Sequence, residues 1–411
     1  MRSDPDPDID PPIVSAARWL KVLLILLLIP GLLLFVGGAL MRQEQRIWQI
    51  YLVNLLFWSG FSQAGVVVSA LLNVTNGRWG RNLRHIIAGL ALFSPVAFVL
   101  FLLLFIGRES IFPWIESPVP EKSAWLDITH LFVRETFNLL LLNILNGVFL
   151  YFSFRPDAGL VVARRGAGSH FLLRRISSGW RGRDEERRHC EIALTRLSPV
   201  LLLAYAIVYS LVAFDFVMSL DPLWYSTLFG AYYFITNLYM GLAGIAVVAI
   251  VLRRAFGLEA HITGSHCHDL GTLIFAFCMI ALDFFWSQYL VIWYGNIPEE
   301  IAFLVRRINE DRWRPFTLAV LGACFVLPLL ILLSRRVKRT PRLLLPVACL
   351  VFGSVWLERY VLVVPTIWHG ESAPFALPEL VVSVAFLSGF VLVYLAFLER
   401  FPILPSDARR A

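Results

Sequence analysis

Ten stretches of the chain stay apolar for long enough to cross a bilayer. They cover residues 17–40, 48–73, 85–106, 128–154, 197–220, 227–252, 269–294, 315–334, 343–364 and 377–398. A hydrocarbon core takes about 20 residues of helix, a length every stretch reaches or exceeds. The runs are far too long for barrel strands, so each predicts a helix that satisfies its own backbone. The predicted fold is all-α and integral to the membrane, with ten transmembrane helices. Residues 1–16 read as a short, mobile acidic and Pro-rich tail. Residues 17–154 carry helices one to four, and 155–196 form an Arg-rich cytoplasmic loop. Residues 197–398 carry helices five to ten, and 399–411 form a C-terminal tail.

Composition agrees with the pattern. Hydrophobic residues make up 58% of the 411, charged residues only 16%, and the mean hydropathy is +0.71. A soluble globular protein of this length is not so apolar. The first run is longer than a secretory signal core and lacks a small-residue cleavage site, which predicts a retained span. The net charge is +7. Its basic residues lie in loops between apolar runs, where they act as topology signals and lipid-phosphate contacts. That distribution argues against a nucleic-acid partner and for membrane lipids. An even number of spans puts both termini on one side. The segments of that side carry 26 of the 36 basic residues and those of the other side carry 8. The positive-inside rule therefore places both termini in the cytoplasm.

The long loop holds ten arginines and no lysine, with Gly166, Gly168 and Ser169 among its small residues. Asp184-Glu185-Glu186-Arg187-Arg188 fits a short amphipathic helix on the membrane surface, or a solvated linker. The five cysteines form no CxxC pair and read as small apolar residues.

Polar residues inside the spans change the picture most. Beyond Arg18 and Lys21 at the start of the first span, Arg134 and Arg359 are the two basic residues within spans, and Glu135, Asp215, Asp283 and Glu358 are intramembrane acids. Counting along the helices puts these six and His130 in the outer half of the membrane, on four spans. Charge at that depth is kept where it meets a partner or water. On the seventh span Asp269 and Ser287 share a face. Asp283 lies about 40° from that line and Thr272 about 60°. One face thus runs from an acid at the cytoplasmic mouth to an acid in the outer half. On the fourth span Glu135 and Asn146 fall within about 20° of each other, and Asn138 within about 60° of Glu135. Asn54, Ser59, Ser62 and Gln63 add polar points to the second span. Proton transfer needs stations of this kind within hydrogen-bond or one-water reach. The alternative is that such amides and hydroxyls only glue helices together.

The histidines do not place two imidazoles face to face at one depth, so no b-type haem is expected. His261, His266 and His268 crowd one cytoplasmic loop, a weak metal signal. No phosphate loop or nucleophile–base motif occurs.

Several motifs resemble the NrfD-like integral membrane subunits, and within them the ActF-type subunit of alternative complex III. The residues that carry the resemblance are Asp215-Phe-Val-Met-Ser-Leu-Asp221-Pro-Leu-Trp224 with Ser226 and Phe229-Gly230. His268-Asp269-Leu-Gly271 with Phe275-Ala-Phe and Ser287-Gln288-Tyr289 add to it. So do Ile292-Trp293-Tyr294-Gly-Asn296-Ile-Pro298-Glu299-Glu300, Trp79-Gly80 with Arg81 and Arg84, and the Trp125–Arg134 stretch. The resemblance implies two four-helix bundles flanked by the first and last helices, in a bacterial inner membrane. It implies a quinol:electron-acceptor oxidoreductase whose partners include a second NrfD-like subunit and periplasmic haem c and iron–sulfur subunits. No cofactor is expected on this chain itself, and quinol or menaquinol is the substrate of the complex.

On that reading Asp269, Asp283, Glu135, Asp215 and Glu358 relay protons, tuned by Arg134 and Arg359 with Asn138 and Asn146 beside them. A quinol headgroup would meet His130 with Asp215. A secondary transporter that uses the same charges, or a membrane scaffold without a proton path, are the other readings. Broken helices in matching halves would favour the transporter.

Overall fold

The computed structural model describes residues 17–40, 44–165, 170–368 and 375–405. The acidic tail, Gly166–Ser169 and the last six residues, for which expectations are given above, lie outside the described residues. The fold is all-α, and among the described residues there is no strand. Among the described residues ten helices are long and apolar enough to span a membrane. They are α1 (Arg18–Leu40), α2 (Glu44–Val74), α3 (Trp79–Leu103), α4 (Ile128–Arg165) and α5 (Arg183–Phe216). The second half comprises α6 (Phe229–Ala255), α7 (Gly264–Gly295), α8 (Arg314–Leu332), α9 (Pro341–Ile367) and α10 (Leu377–Leu398).

Neighbour relations organise the set. α2, α3, α4 and α5 close a ring in that order, and α6, α7, α8 and α9 close another. The rings meet back to back through α2 and α5 on α6 and through α2 on α9. α1 lies along α10, and that pair packs on α2 and α3. The α2–α6 contact is close because small residues face each other. A Cβ at Gly241 would lie 2.2 Å from that of Ala64, and one at Gly60 would lie 2.5 Å from Asn237 Oδ1. Small residues let backbones approach where hydrocarbon supplies no other driving force for association. α2 and α6 are accordingly the most buried spans.

Two helices are not regular. α3 passes through a short 3₁₀ turn at Leu90–Phe93, and α8 contains a π turn at Leu321–Val326. The breaks do not occupy matching places in the two rings.

The Arg-rich segment departs from the expected loop. α4 continues to Arg165, and α5 begins at Arg183, so much of residues 155–196 is helix. Asp184–Arg188 forms the first turns of α5 rather than a separate surface helix. Its three acids complement the positive end of the helix dipole. Arg155 holds the junction together. It pairs with Glu186 and donates to the carbonyls of Ile176 (2.9 Å) and Ser178 (3.1 Å). The backbone N–H of Arg181 reaches Glu186 Oε2 at 3.2 Å.

At the opposite end of the molecule the short helix Pro298–Ile308 plugs the second ring. Arg307 is buried there on neutral acceptors only. Its donors reach the carbonyls of Val361 (2.9 Å), Phe303 (2.8 Å) and Leu362 (2.8 Å), and Thr366 Oγ1 (2.8 Å). Pro365 lacks an N–H and leaves the Val361 carbonyl without its helical partner, so Arg307 supplies the missing donor. Burial and the neighbouring Arg306 pull its guanidinium down to about 9, still charged at neutral pH.

Candidate functional site

The seven ionisable groups assigned to one depth do not form one site. They separate into a cluster in the first ring, a cluster in the second, and two residues on the surface.

In the first ring α4 and α5 bring Arg134, Glu135 and Asp215 together. Arg134 grips Asp215 with two hydrogen bonds, Nε to Oδ2 at 2.8 Å and Nη2 to Oδ1 at 2.7 Å. Trp125 Nε1 donates to the same Oδ1 at 3.0 Å, and the guanidinium lies 3.9 Å from the Trp125 ring centroid. A planar fork suits this bidentate, stacked arrangement as an ammonium could not. Asp215 is 0% exposed and Arg134 is 22% exposed, so the cluster reaches the surface through the arginine. Glu135 is fully buried against Asp215. Its Oε1 accepts a long bond from Asn138 at 3.3 Å, and no donor meets its Oε2. Glu135 and Asp215 are neighbours, and two carboxyls can bond to each other only through a proton, so the pair is a place where a proton can sit.

Below this cluster the interior of the ring stays polar. Tyr209 lies near Ser59 and Glu135. Gln63 and Asn146 exchange hydrogen bonds at 3.0 and 2.8 Å. Asn146 also donates to Ser94 at 3.3 Å, and Ser94 donates to Asn143 at 3.0 Å. A cavity of about 40 Å³, lined by Ser59, Gln63, Ser94, Asn143 and Tyr209 among apolar side chains, joins these groups. A site of that size and polarity suits one water.

A larger cavity of about 580 Å³ opens at the end where α1 begins and α10 finishes. Its walls include Arg81, Arg84, Arg183 and Arg187, with Ser69 and Ser153 lining it as well. His85 is buried in its wall, with Nε2 3.1 Å from Asp157 and Nδ1 2.9 Å from the Pro402 carbonyl. Asn73 donates to Ser198 at 3.4 Å nearby. In order along the helices, Val66 of α2 and Phe149 of α4 come between Gln63–Asn146 and the cavity residues Ser69 and Ser153, Leu201 of α5 follows the cavity residue Thr195, and all three are fully buried. From Gln63 to Ser69 the rise is about 9 Å, so the dry layer is less than two turns thick.

In the second ring α9 and α6 build a sealed cluster. Arg359 Nη2 donates to Thr236 Oγ1 at 2.7 Å, Asn237 Oδ1 at 3.1 Å and the Tyr233 carbonyl at 3.4 Å. Its Nη1 lies 2.7 Å from Glu358 Oε2, a close charge contact without the alignment of a hydrogen bond. Tyr232 Oη donates to Glu358 Oε1 at 2.7 Å.

Asp269, Asp283 and His130 fall outside both clusters. The face of α7 that carries Asp269 and Asp283 points outward, not into a ring. Asp283 is exposed, and Asp269 is half-buried with His268 Nδ1 at 3.7 Å. The expected internal line along α7 is therefore corrected. The angles along the helix are right, but its rotation puts that face on the exterior. His130 is 74% exposed and turns to Asp127 at 3.5 Å, while Asp215 is closed off by Arg134 and Trp125. The expected His130–Asp215 headgroup pair is not formed. Of the loop histidines, His266 caps the start of α7 with Thr263. Among the described residues no group of His, Cys, Asp and Glu is placed to hold a metal.

Sequence reasoning missed His85–Asp157, Arg155–Glu186 and Arg307. The acidic first turn after Gly182 was a readable signal for the start of α5. Pro298 followed by two acids, with two arginines eight residues on, was a readable signal for the short helix.

Fold and site together define a multi-pass α-helical membrane protein with two buried arginine–carboxylate clusters. No protein-family model matches the chain, and no curated protein matches it.

Proposed function

We propose that this chain is an NrfD-like membrane subunit of a quinol:electron-acceptor oxidoreductase of the alternative complex III type. In this reading it lies in a bacterial inner membrane with both termini cytoplasmic, partnered by a second NrfD-like subunit and by periplasmic haem c and iron–sulfur subunits. The first ring carries protons that accompany quinol oxidation. The observation that supports this is the polar series inside α2–α5, which runs from Gln63–Asn146 to Glu135 and Asp215, with the basic cavity on the far side of one apolar layer. Glu135 takes and releases the proton, Asp215 shares it, and Arg134 holds Asp215 in place. Glu358 and Arg359 act as a clamp between α6 and α9. Quinol itself is oxidised on a partner subunit.

The test is Glu135→Gln in the assembled complex. The proton-to-electron ratio is expected to fall while the haem content stays unchanged. An unaltered ratio and turnover would sink the relay.

The dry layer of Val66, Phe149 and Leu201 favours a second reading, a scaffold without a proton path. Phe149→Ser separates the two. A serine there bridges the gap and raises passive proton leak in proteoliposomes if the series conducts, and leaves leak unchanged in a scaffold.

A further inference from the structure

α7 carries an unexplained charge on its outer face. Asp283 is exposed there and, among the described residues, its carboxylate meets no donor. It lies about 21 Å along the axis from Asp269 and about 15 Å from Trp293, well inside a hydrocarbon core of about 30 Å. Hydrocarbon offers such a group nothing, and its exposure to lipid is costly.

The pattern around it is regular. Asp269, Ala276, Asp283 and Leu290 recur every seventh residue, and so do Thr272, Met279 and Trp286 three positions on. The second set is exposed throughout, and in the first set Asp283 and Leu290 are exposed while Asp269 and Ala276 are half-buried. A seven-residue repeat keeps one seam facing one partner helix at a shallow left-handed crossing. Among the described residues α7 packs on α6, α8 and α9 and on the short segments Arg335–Arg339, Pro298–Ile308 and Arg78–Leu83, and these leave Thr272, Met279, Asp283, Trp286 and Leu290 of the seam exposed.

We propose that the seam is covered by a transmembrane helix of a different polypeptide that presents an arginine or lysine opposite Asp283. A second copy of this chain does not fit. Two α7 seams meeting about an axis along the bilayer normal would set one Asp283 against the other at the same depth. The proposal rests on the chain spanning a membrane and not on the oxidoreductase reading.

The test uses the full-length chain in nanodiscs and a synthetic Leu/Ala transmembrane peptide with one central arginine. Twin peptides carry leucine or glutamate at that position, and association is read by fluorescence energy transfer. The arginine peptide is expected to bind most tightly, and Asp283→Asn to weaken it about tenfold or more. Asp283→Lys is expected to reverse the preference towards the glutamate peptide. With one cysteine added to the arginine peptide and a copper–phenanthroline oxidant, a cysteine at Met279 should form a disulfide to the peptide, while one at Phe137 on the outward side of α4 should not. Equal binding of the three peptides, cross-links only between two copies of the chain, or cross-linking at Phe137 alone overturns the proposal.

Discussion

Arg134 with Asp215, and Arg359 with Glu358, are the same ingredients put to different ends. In the first ring one arginine faces two carboxyls, and the site reaches the surface through the arginine. In the second ring one arginine faces one carboxyl. Tyr232 bonds to Glu358, Thr236 and Asn237 bond to Arg359 Nη2, Arg359 Nε meets no acceptor, and nothing is exposed. A balanced, sealed pair holds helices, because any change of charge in it leaves a buried ion alone. An unbalanced pair with a way out can change its protonation without breaking its own frame. The difference lies in stoichiometry and access rather than in residue type.

Substitutions should separate the two, and the largest effect belongs to the sealed pair. Arg359→Met strands Glu358 and is expected to cost about 3–5 kcal/mol, read as the midpoint of unfolding in a denaturing-detergent titration. Replacing Glu358 and Arg359 together by apolar residues should recover most of that loss. Asp215→Asn comes next, at about 1–3 kcal/mol, because Arg134 loses its ionic partner but keeps access to water. The fluorescence of Trp125 should change with it. Gln63→Leu leaves Asn146 half-paired and is expected to cost about 1 kcal/mol in the same titration. Glu135→Gln is expected to be the mildest, within about 1 kcal/mol, since no cation depends on Glu135 directly. A Glu135→Gln protein as unstable as Arg359→Met would erase the contrast between the clusters.

The spans were legible because hydropathy over about 20 residues is a strong signal in a bilayer protein. Their ends were less so. α4 and α5 run on past the apolar rule because arginines such as Arg155 find partners at the helix ends, and a window that stops at the first charge stops too early. Depth put Arg134, Glu135 and Asp215 at one level, together with His130, Asp283, Glu358 and Arg359, which the structure places elsewhere, and helical angle put Asn138 near Glu135. The direction of the α7 face followed from neither. In water a polar face points outward by default, but a membrane helix has apolar surroundings on both sides, so periodicity gives a face and not its heading. Glu358 finding Tyr232, and Gln63 finding Asn146, depended on the rotation of α6 and α2, which nothing local in the sequence fixes.

The basic cavity has an electrical consequence. Water that enters it brings the potential of the bulk phase down to the level of Ser69 and Ser153. In an energised membrane the voltage then falls across a shorter dielectric than the full bilayer, and the field steepens over Val66, Phe149 and Leu201. Moving one elementary charge through the whole drop is worth about 2.3 kcal/mol per 100 mV. In this chain that work would be done between the floor of the cavity at Ser69 and the far end of the ring at Arg134, with Val66, Phe149 and Leu201 as its first step.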